Sequence, residues 1–299
     1  MGEKIARTVL RVGKLRALLI AASVTVLVYC IIQIAGYYVA SAQSEQAYDR
    51  IGELYHSDED LQAIAEPSSS STPSPSPPPT PIAPALPVAL PDPSPTPGLE
   101  AALQLKPIQP ERAVRFAELA KSNPDVVGWL HIPDTKLDYP VVQTEDNAYY
   151  LSHGFDQRES IAGAIFMDYR NEYDKPAPNT ILYGHHMKNG SMFGSLIKYR
   201  DESHFKANRI ITFDTLHYEM RWEIFSVYVT DTSFDYIRTE FNDDASYIRF
   251  LEQIQSKSIY PTEVQLNASD RILTLSTCEY DFDSARLVIH AKLIIDTSD

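Results

Sequence analysis

From Pro67 to Pro97, thirteen of 31 residues are proline, and no other stretch constrains the fold as much. Each proline lacks a backbone N–H and fixes φ, so neither a helix nor a sheet ladder can run through this segment. It divides the chain. An extended polyproline conformation rises about 3 Å per residue, so the segment can reach roughly 90–100 Å. Such a composition can also serve as a Pro-x-x-Pro ligand for a docking module. A spacer requires no partner, and residues 67–98 are read here as an extended Pro/Ser/Thr-rich linker.

The segment before the linker is built for a membrane. Ala17 to Ala40 carries no charge and is interrupted only by Ser23, Thr25 and Gln33; about 20 apolar residues suffice to span a bilayer. Lys4, Arg7, Arg11, Lys14 and Arg16 precede it, so the positive-inside rule places residues 1–16 in the cytoplasm. Ala40-Ser41-Ala42 resembles a signal-peptidase site, but the apolar region of a signal peptide runs only about 7–15 residues. An uncleaved anchor over 17–40 is therefore expected. A juxtamembrane segment (41–66) follows, which can continue as a helix with Ala47, Ile51 and Leu54 on its apolar side. All that follows the anchor, including the globular domain over 99–299, is expected outside the cell.

Charge excludes one class of partner. The chain carries a formal net charge of −14, and the basic tail makes the remainder more negative still. Phosphate binding needs clustered Lys and Arg, so nucleic acid is not expected as a partner. The two cysteines, Cys30 and Cys278, cannot meet, because Cys30 lies in the anchor. An exported domain without a disulfide must rest on its core alone.

Within the globular part, Glu111 to Leu119 has helical spacing through Val114, Ala117 and Leu119, and Asn123-Pro124 stops it. Eight short runs then read as strands: 126–132, 139–143, 164–168, 180–183, 210–213, 221–230, 271–277 and 286–295. Turn residues such as Pro133-Asp134 and Asn189-Gly190 separate them. Eight strands in so short a span suggest a closed or nearly closed β-barrel, a mainly β fold. One helix interrupts the late strands, capped by Asp243-Asp244 and carrying Tyr247, Ile248, Leu251 and Ile254.

The last two strands form a hairpin joined by residues 279–285. It brings Cys278, at the end of one strand, to Arg286, at the start of the next. A guanidinium favours the ionised thiol, although a free cysteine is also among the most buried residue types. A cysteine nucleophile needs a base and an oxyanion donor. Among eight histidines, His185 and His186 stand out, because they follow the strand Asn179-Thr-Ile-Leu-Tyr-Gly184. A metal held by His185, His186 and Cys278 has little support, since adjacent strand residues point to opposite faces and no metal-ligand spacing is present. No cofactor or metal is expected.

Thr274-Leu-Ser-Thr-Cys278, the downstream Arg286 and the upstream Tyr183-Gly184-His185 resemble the sortase pattern. The likeness extends to Asp125-Val-Val-Gly-Trp-Leu130, Asp138-Tyr-Pro-Val-Val-Gln143, Asp146-Asn147, Tyr149-Tyr-Leu151, Gly163-Ala-Ile-Phe-Met-Asp168 and Met192-Phe-Gly194, which resemble class B sortases. It covers roughly residues 111–296. The resemblance implies an eight-stranded sortase barrel with an N-terminal helix and a helix inserted before the last strands. It also implies a membrane-anchored cysteine transpeptidase of Gram-positive surfaces. Such an enzyme cleaves the C-terminal sorting signal of a substrate protein after Thr and joins the Thr to an amine of peptidoglycan or of a pilin.

Carried over residue by residue, the family pattern makes Cys278 the nucleophile that forms a thioacyl intermediate. It makes His185, which directly follows the glycine, the general acid and then base. Arg286 becomes the donor to the substrate backbone or oxyanion. Ser276, Glu279 and Tyr183 are weaker expectations for substrate contact, and Asp168 reads as structural. Two other readings compete. An L,D-transpeptidase acting on peptidoglycan stems shares the Cys/His chemistry, but its pattern places Gly before the Cys where this chain has Thr277. A non-catalytic surface module would have Cys278 merely buried.

Overall fold

The computed structural model describes residues 2–56, 105–231, 233–278 and 285–295, without the side chains of 2–15, Ala17 and Cys278. The Pro/Ser/Thr-rich linker, Glu279 and the rest of the hairpin turn up to 284 lie outside the described residues. The chain begins with α1 (Gly2–His56). From Leu18 to Val39 this helix exposes its apolar side chains, among them Leu19, Ile20, Leu27, Ile31 and Ile32. Among the described residues it is the one helix long and apolar enough to cross a membrane.

The helical continuation expected beyond the anchor is present, and it packs on the globular part. Its contact stripe is Ser41, Tyr48 and Tyr55, all buried, with Ile51 and Leu54 alongside. These positions recur at helical spacing, so one face of the helix meets the barrel. The Tyr55 ring stacks on Trp129 with centroids 3.9 Å apart, and the Tyr48 ring meets Tyr139 edge-on.

Next come β1 (Lys106–Pro107) and α2 (Pro110–Ser122), which starts with Pro at its first turn. Its packing face is set by Phe116 and Leu119. Ala117, expected on the buried stripe, is exposed, because the larger Phe116 ring takes the core position one residue earlier. Asn123 ends the helix, its N–H bonded to the Leu119 carbonyl.

Eight strands then close a barrel: β2 (Val126–His131), β3 (Asp138–Val142), β4 (Ile165–Met167), β5 (Asn179–Gly184), β6 (Ile210–Thr215), β8 (Arg221–Thr230), β9 (Ile272–Cys278) and β10 (Arg286–Leu293). A two-residue strand, β7 (Tyr218–Glu219), pairs with β1 outside it. Around the barrel the order is β10-β8-β6-β2-β3-β4-β5-β9, and β9 pairs back with β10. The β3–β4 and β5–β9 pairs are parallel and the rest antiparallel. The mainly β closed barrel expected from the eight runs is thus the observed fold.

Strand period decides what fills it. Leu273 and Leu275 of β9 and Leu287, Ile289 and Ala291 of β10 enter the barrel core, with Leu130, Phe213 and Trp222. The alternate residues Ile272 and Val288 belong to a second cluster on the outer face. This outer face of the late strands is covered by α4 (Asp244–Ser256), placed after a short α3 (Glu202–Ala207). Asp243 and Ser246 form a capping box at the start of α4, and Tyr247, Phe250, Leu251 and Ile254 are its buried residues. Ile248, expected on that face, is 37 % exposed; at one residue past Tyr247 it is rotated about 100° away.

Candidate active site

Three adjacent strands bring the expected residues to one rim of the barrel. Parallel pairing sets Tyr183 opposite Ser276 and Gly184 opposite Thr277, so His185 leaves β5 level with the end of β9. Antiparallel pairing sets Cys278 opposite Arg286, and Arg286 opposite Thr230 of β8. The row His185, Cys278, Arg286 therefore runs across β5, β9 and β10, with neighbouring strands about 4.8 Å apart. The glycine before His185 has a packing cause. A Cβ on Gly184 would lie 2.5 Å from the Ile165 side chain and 2.9 Å from the Phe193 ring.

His185 is half-buried, and its Nε2 lies 2.7 Å from the Leu151 carbonyl oxygen. A carbonyl only accepts, so Nε2–H is the donor. Nδ1 is then the ring atom that can gain and lose a proton without breaking this bond. Leu151 closes a short 3-10 turn, Tyr149–Leu151. The Asp146 carboxylate holds that turn, accepting from the N–H groups of Ala148 (2.8 Å) and Tyr149 (2.9 Å). Gly163 lies behind it with φ +56°; a Cβ there would be 3.2 Å from the His185 ring. Sequence reasoning missed both groups. A main-chain carbonyl leaves no trace in residue identity, and for Gly163 the only signal is its place at the head of Gly-Ala-Ile-Phe-Met-Asp168.

Arg286 is half-buried and donates from Nη1 to the Ala285 carbonyl (2.9 Å). Among the described residues no carboxylate pairs with it. Of the weaker expectations, Ser276 is buried with its hydroxyl 2.9 Å from the Tyr236 hydroxyl. Tyr183 donates to Asp168 (2.8 Å). Both side chains are thus engaged in the wall behind the site.

Asp168 organises that wall. It is fully buried and takes a two-pronged contact from Arg170, Nε to Oδ1 at 2.8 Å and Nη2 to Oδ2 at 2.7 Å. Burial alone would raise its pKa; the hydrogen bonds from Arg170 and Tyr183 outweigh this and hold the carboxyl below its ordinary range. Burial, reinforced by the Asp168 charge, pushes the Tyr183 hydroxyl well up, so it stays a neutral donor.

Beneath the site runs a buried polar chain. Tyr228 hydroxyl meets His290 Nε2 at 2.8 Å, His290 Nδ1 meets Thr274 Oγ1 at 2.8 Å, and Thr274 donates to Asn179 Oδ1 at 2.6 Å. Asn179 in turn donates to the carbonyls of Tyr236 and Arg238. Because Thr274 spends its proton on Asn179, His290 must carry its own on Nδ1 and accept from Tyr228 on Nε2. The chain ties β5, β8, β9 and β10 together four residues below Cys278.

Among the described residues, no group of three His, Cys, Asp or Glu gathers as a metal site would require. What the rim offers is a thiol-bearing residue, an imidazole of fixed tautomer and a guanidinium in one row.

Comparison with known proteins gives the family. Residues 130–294 match the sortase domain model. The chain belongs to the sortase family. Its curated relatives include Sortase B of Listeria monocytogenes, 44 % identical over 181 residues, covering 59 % of this chain and 73 % of that protein. Sortase B of Staphylococcus aureus is 41 % identical over 182 residues, covering 60 % and 75 %. A crystal structure of sortase B from B. anthracis, in complex with a compound named AAEK2, superposes with TM-score 0.58 at 48 % identity, covering 61 % of this chain and 84 % of that one. This is a class B sortase, and the sortase family's activity is transpeptidation. The N-terminal apolar helix fits a one-pass membrane anchor.

Proposed function

We propose that this sortase cleaves the C-terminal sorting signal of surface proteins after Thr, through a thioacyl intermediate on Cys278. The acyl group then passes to an amine of peptidoglycan or of a pilin. The observation that carries this reading is the strand register, which sets His185, Cys278 and Arg286 in one row at the rim. In the first half-reaction the thiolate attacks the Thr carbonyl, and Arg286 stabilises the oxyanion as a charge-assisted donor. The C–N bond breaks as His185, protonated at Nδ1, delivers its proton to the leaving amine. In the second half-reaction neutral His185 takes a proton from the incoming amine, which attacks the thioester and regenerates the thiolate.

The Leu151 carbonyl keeps the imidazole in one orientation through both halves, since Nε2 donates to it in either protonation state. The basic tail before the anchor supports a cytoplasmic N-terminus and an extracellular catalytic domain, on a Gram-positive cell surface. Sorting-signal-bearing proteins and an amine acceptor are the partners; Ser276 and Tyr183 back the site, and Glu279, next to Cys278 in sequence, is a weaker candidate for substrate contact.

The test is to incubate the full chain in detergent with a library of Thr-containing peptides and an amine, then map the cleaved bond by mass spectrometry. A product cut after Thr and carrying the amine is expected, and Cys278→Ala should give none. Cleavage that persists in Cys278→Ala would refute the reading.

A further inference from the structure

The helix that leaves the membrane also braces the loop that holds His185. Residues 41, 44 and 48 of α1 lie on one face, and each is bonded to a segment flanking that histidine. The Tyr48 hydroxyl donates to the Gly163 carbonyl (2.8 Å) and accepts from the Phe155 N–H (3.2 Å). Ser44 Oγ lies 3.1 Å from Ser160 Oγ. Asn189, four residues past His185, donates to Ser41 Oγ (3.0 Å). Gly163, clasped by Tyr48, is the residue packed against the Tyr150 and Leu151 carbonyls and the His185 ring. Tyr48 is thus bonded to Gly163, whose neighbour Ala164 donates its N–H to the Tyr150 carbonyl (3.0 Å), one residue before the acceptor of His185 Nε2–H.

We infer that Tyr48 is a positioning residue for His185, and that the catalytic unit includes residues 41–48 of the anchor helix rather than beginning after the linker. Loop 151–163 connects a 3-10 turn to β4, and two of its backbone groups, Phe155 N–H and Gly163 C=O, are satisfied by the one Tyr48 hydroxyl. Without that hydroxyl both lose their partner, the loop gains freedom, and the Leu151 carbonyl no longer holds a single place. His185 then loses its fixed tautomer, and the fraction of molecules with Nδ1 ready for the reacting amine falls. The inference rests on the catalytic role of His185 proposed above.

The same helix supplies its own control. The Tyr55 hydroxyl, buried two turns further on, has no hydrogen-bond partner among the described residues, and its ring packs on Trp129 and Phe116.

The experiment compares Tyr48→Phe with Tyr55→Phe in the full chain in detergent micelles. Three quantities are read: melting temperature, kcat and KM on the peptide selected by the library, and the ring-nitrogen NMR shifts of His185, assigned with His185→Gln. Tyr48→Phe is expected to lower kcat about tenfold with KM unchanged, and to move the His185 shifts from the Nε2–H pattern toward tautomer averaging. Tyr55→Phe should leave all three as in the wild type. Wild-type kcat and wild-type His185 shifts in Tyr48→Phe would overturn the inference, as would an equal kcat loss in Tyr55→Phe. Should His185→Gln keep full activity, the catalytic reading fails instead, and the His185 shifts in Tyr48→Phe still judge the clasp by themselves.

Discussion

Gly163→Ala probes the support of His185 directly, and its cost can be worked from the geometry. At φ +56° an L side chain is strained, and the added Cβ would lie 2.5 Å from the Tyr150 carbonyl oxygen and 3.0 Å from that of Leu151. Ordinary contact begins at 3.4 Å, so the first of these must open by nearly an ångström. Both obstacles are backbone, so no side-chain rotation relieves them. The left-handed conformation costs about 1–2 kcal/mol and the overpacking about 1–3 kcal/mol, for a destabilisation of about 2–5 kcal/mol. The Leu151 oxygen must move away from a 2.7 Å bond with His185. That oxygen need give only a few tenths of an ångström, short of the ~1 Å misplacement that costs about 100-fold, so kcat should fall by about tenfold. Urea unfolding and single-turnover cleavage of the library peptide, both on the full chain, measure the two effects. A variant with wild-type stability and wild-type kcat would show that the loop yields freely, and that Gly163 supports nothing.

Three other outcomes follow from the same structure. Arg286→Lys keeps the charge but loses the planar fork, so cleavage should fall by about 100-fold while the melting temperature holds; equal rates would remove Arg286 from the oxyanion role. Asp168→Asn leaves Arg170 and Tyr183 without their anion, and should cost about 2–3 kcal/mol in urea unfolding, moderated because the Arg170 side chain is 35 % exposed. Burial lowers the pKa of His290 from 6.5 to about 3, so the unfolded chain takes up this proton first as pH falls. The resulting stability is complete above 6.5, declines below it and is gone near 3, a loss of about 2–3 kcal/mol by about pH 4.5. That portion of the acid sensitivity should vanish in His290→Phe; an unchanged pH dependence would assign it elsewhere.

Much of the architecture could be read in advance because its causes are local. The eight strand runs are short, largely apolar or β-branched, and broken by turn residues such as Asn189-Gly190, whose Gly190 has φ +81°. The cap of α4 is written in Asp243 and Ser246. Where local reading slipped, packing volume decided: Phe116 displaced Ala117 from the core face of α2, and Ile248 turned outward while Phe250 turned in. The site was legible to the extent that it consists of strand-end side chains. Gly184 before His185, and Cys278 ahead of Arg286 across a short hairpin, are each visible as residues in order.

The sequence by itself pointed to the division of the chain, the apolar anchor and the strand count, which follow from proline chemistry, hydropathy and turn residues acting over a few positions. It offered Cys278, His185 and Arg286 as reactive residues through their resemblance to the sortase pattern. Only the tertiary structure decided that β5 and β9 run parallel in the register that levels His185 with Cys278. It alone decided that the Leu151 carbonyl fixes the imidazole, and that Tyr48, 115 positions from Gly163, braces the loop. Those are contacts between main-chain groups and distant segments. No residue type encodes them, because every residue carries a carbonyl and the fold alone chooses which one is met.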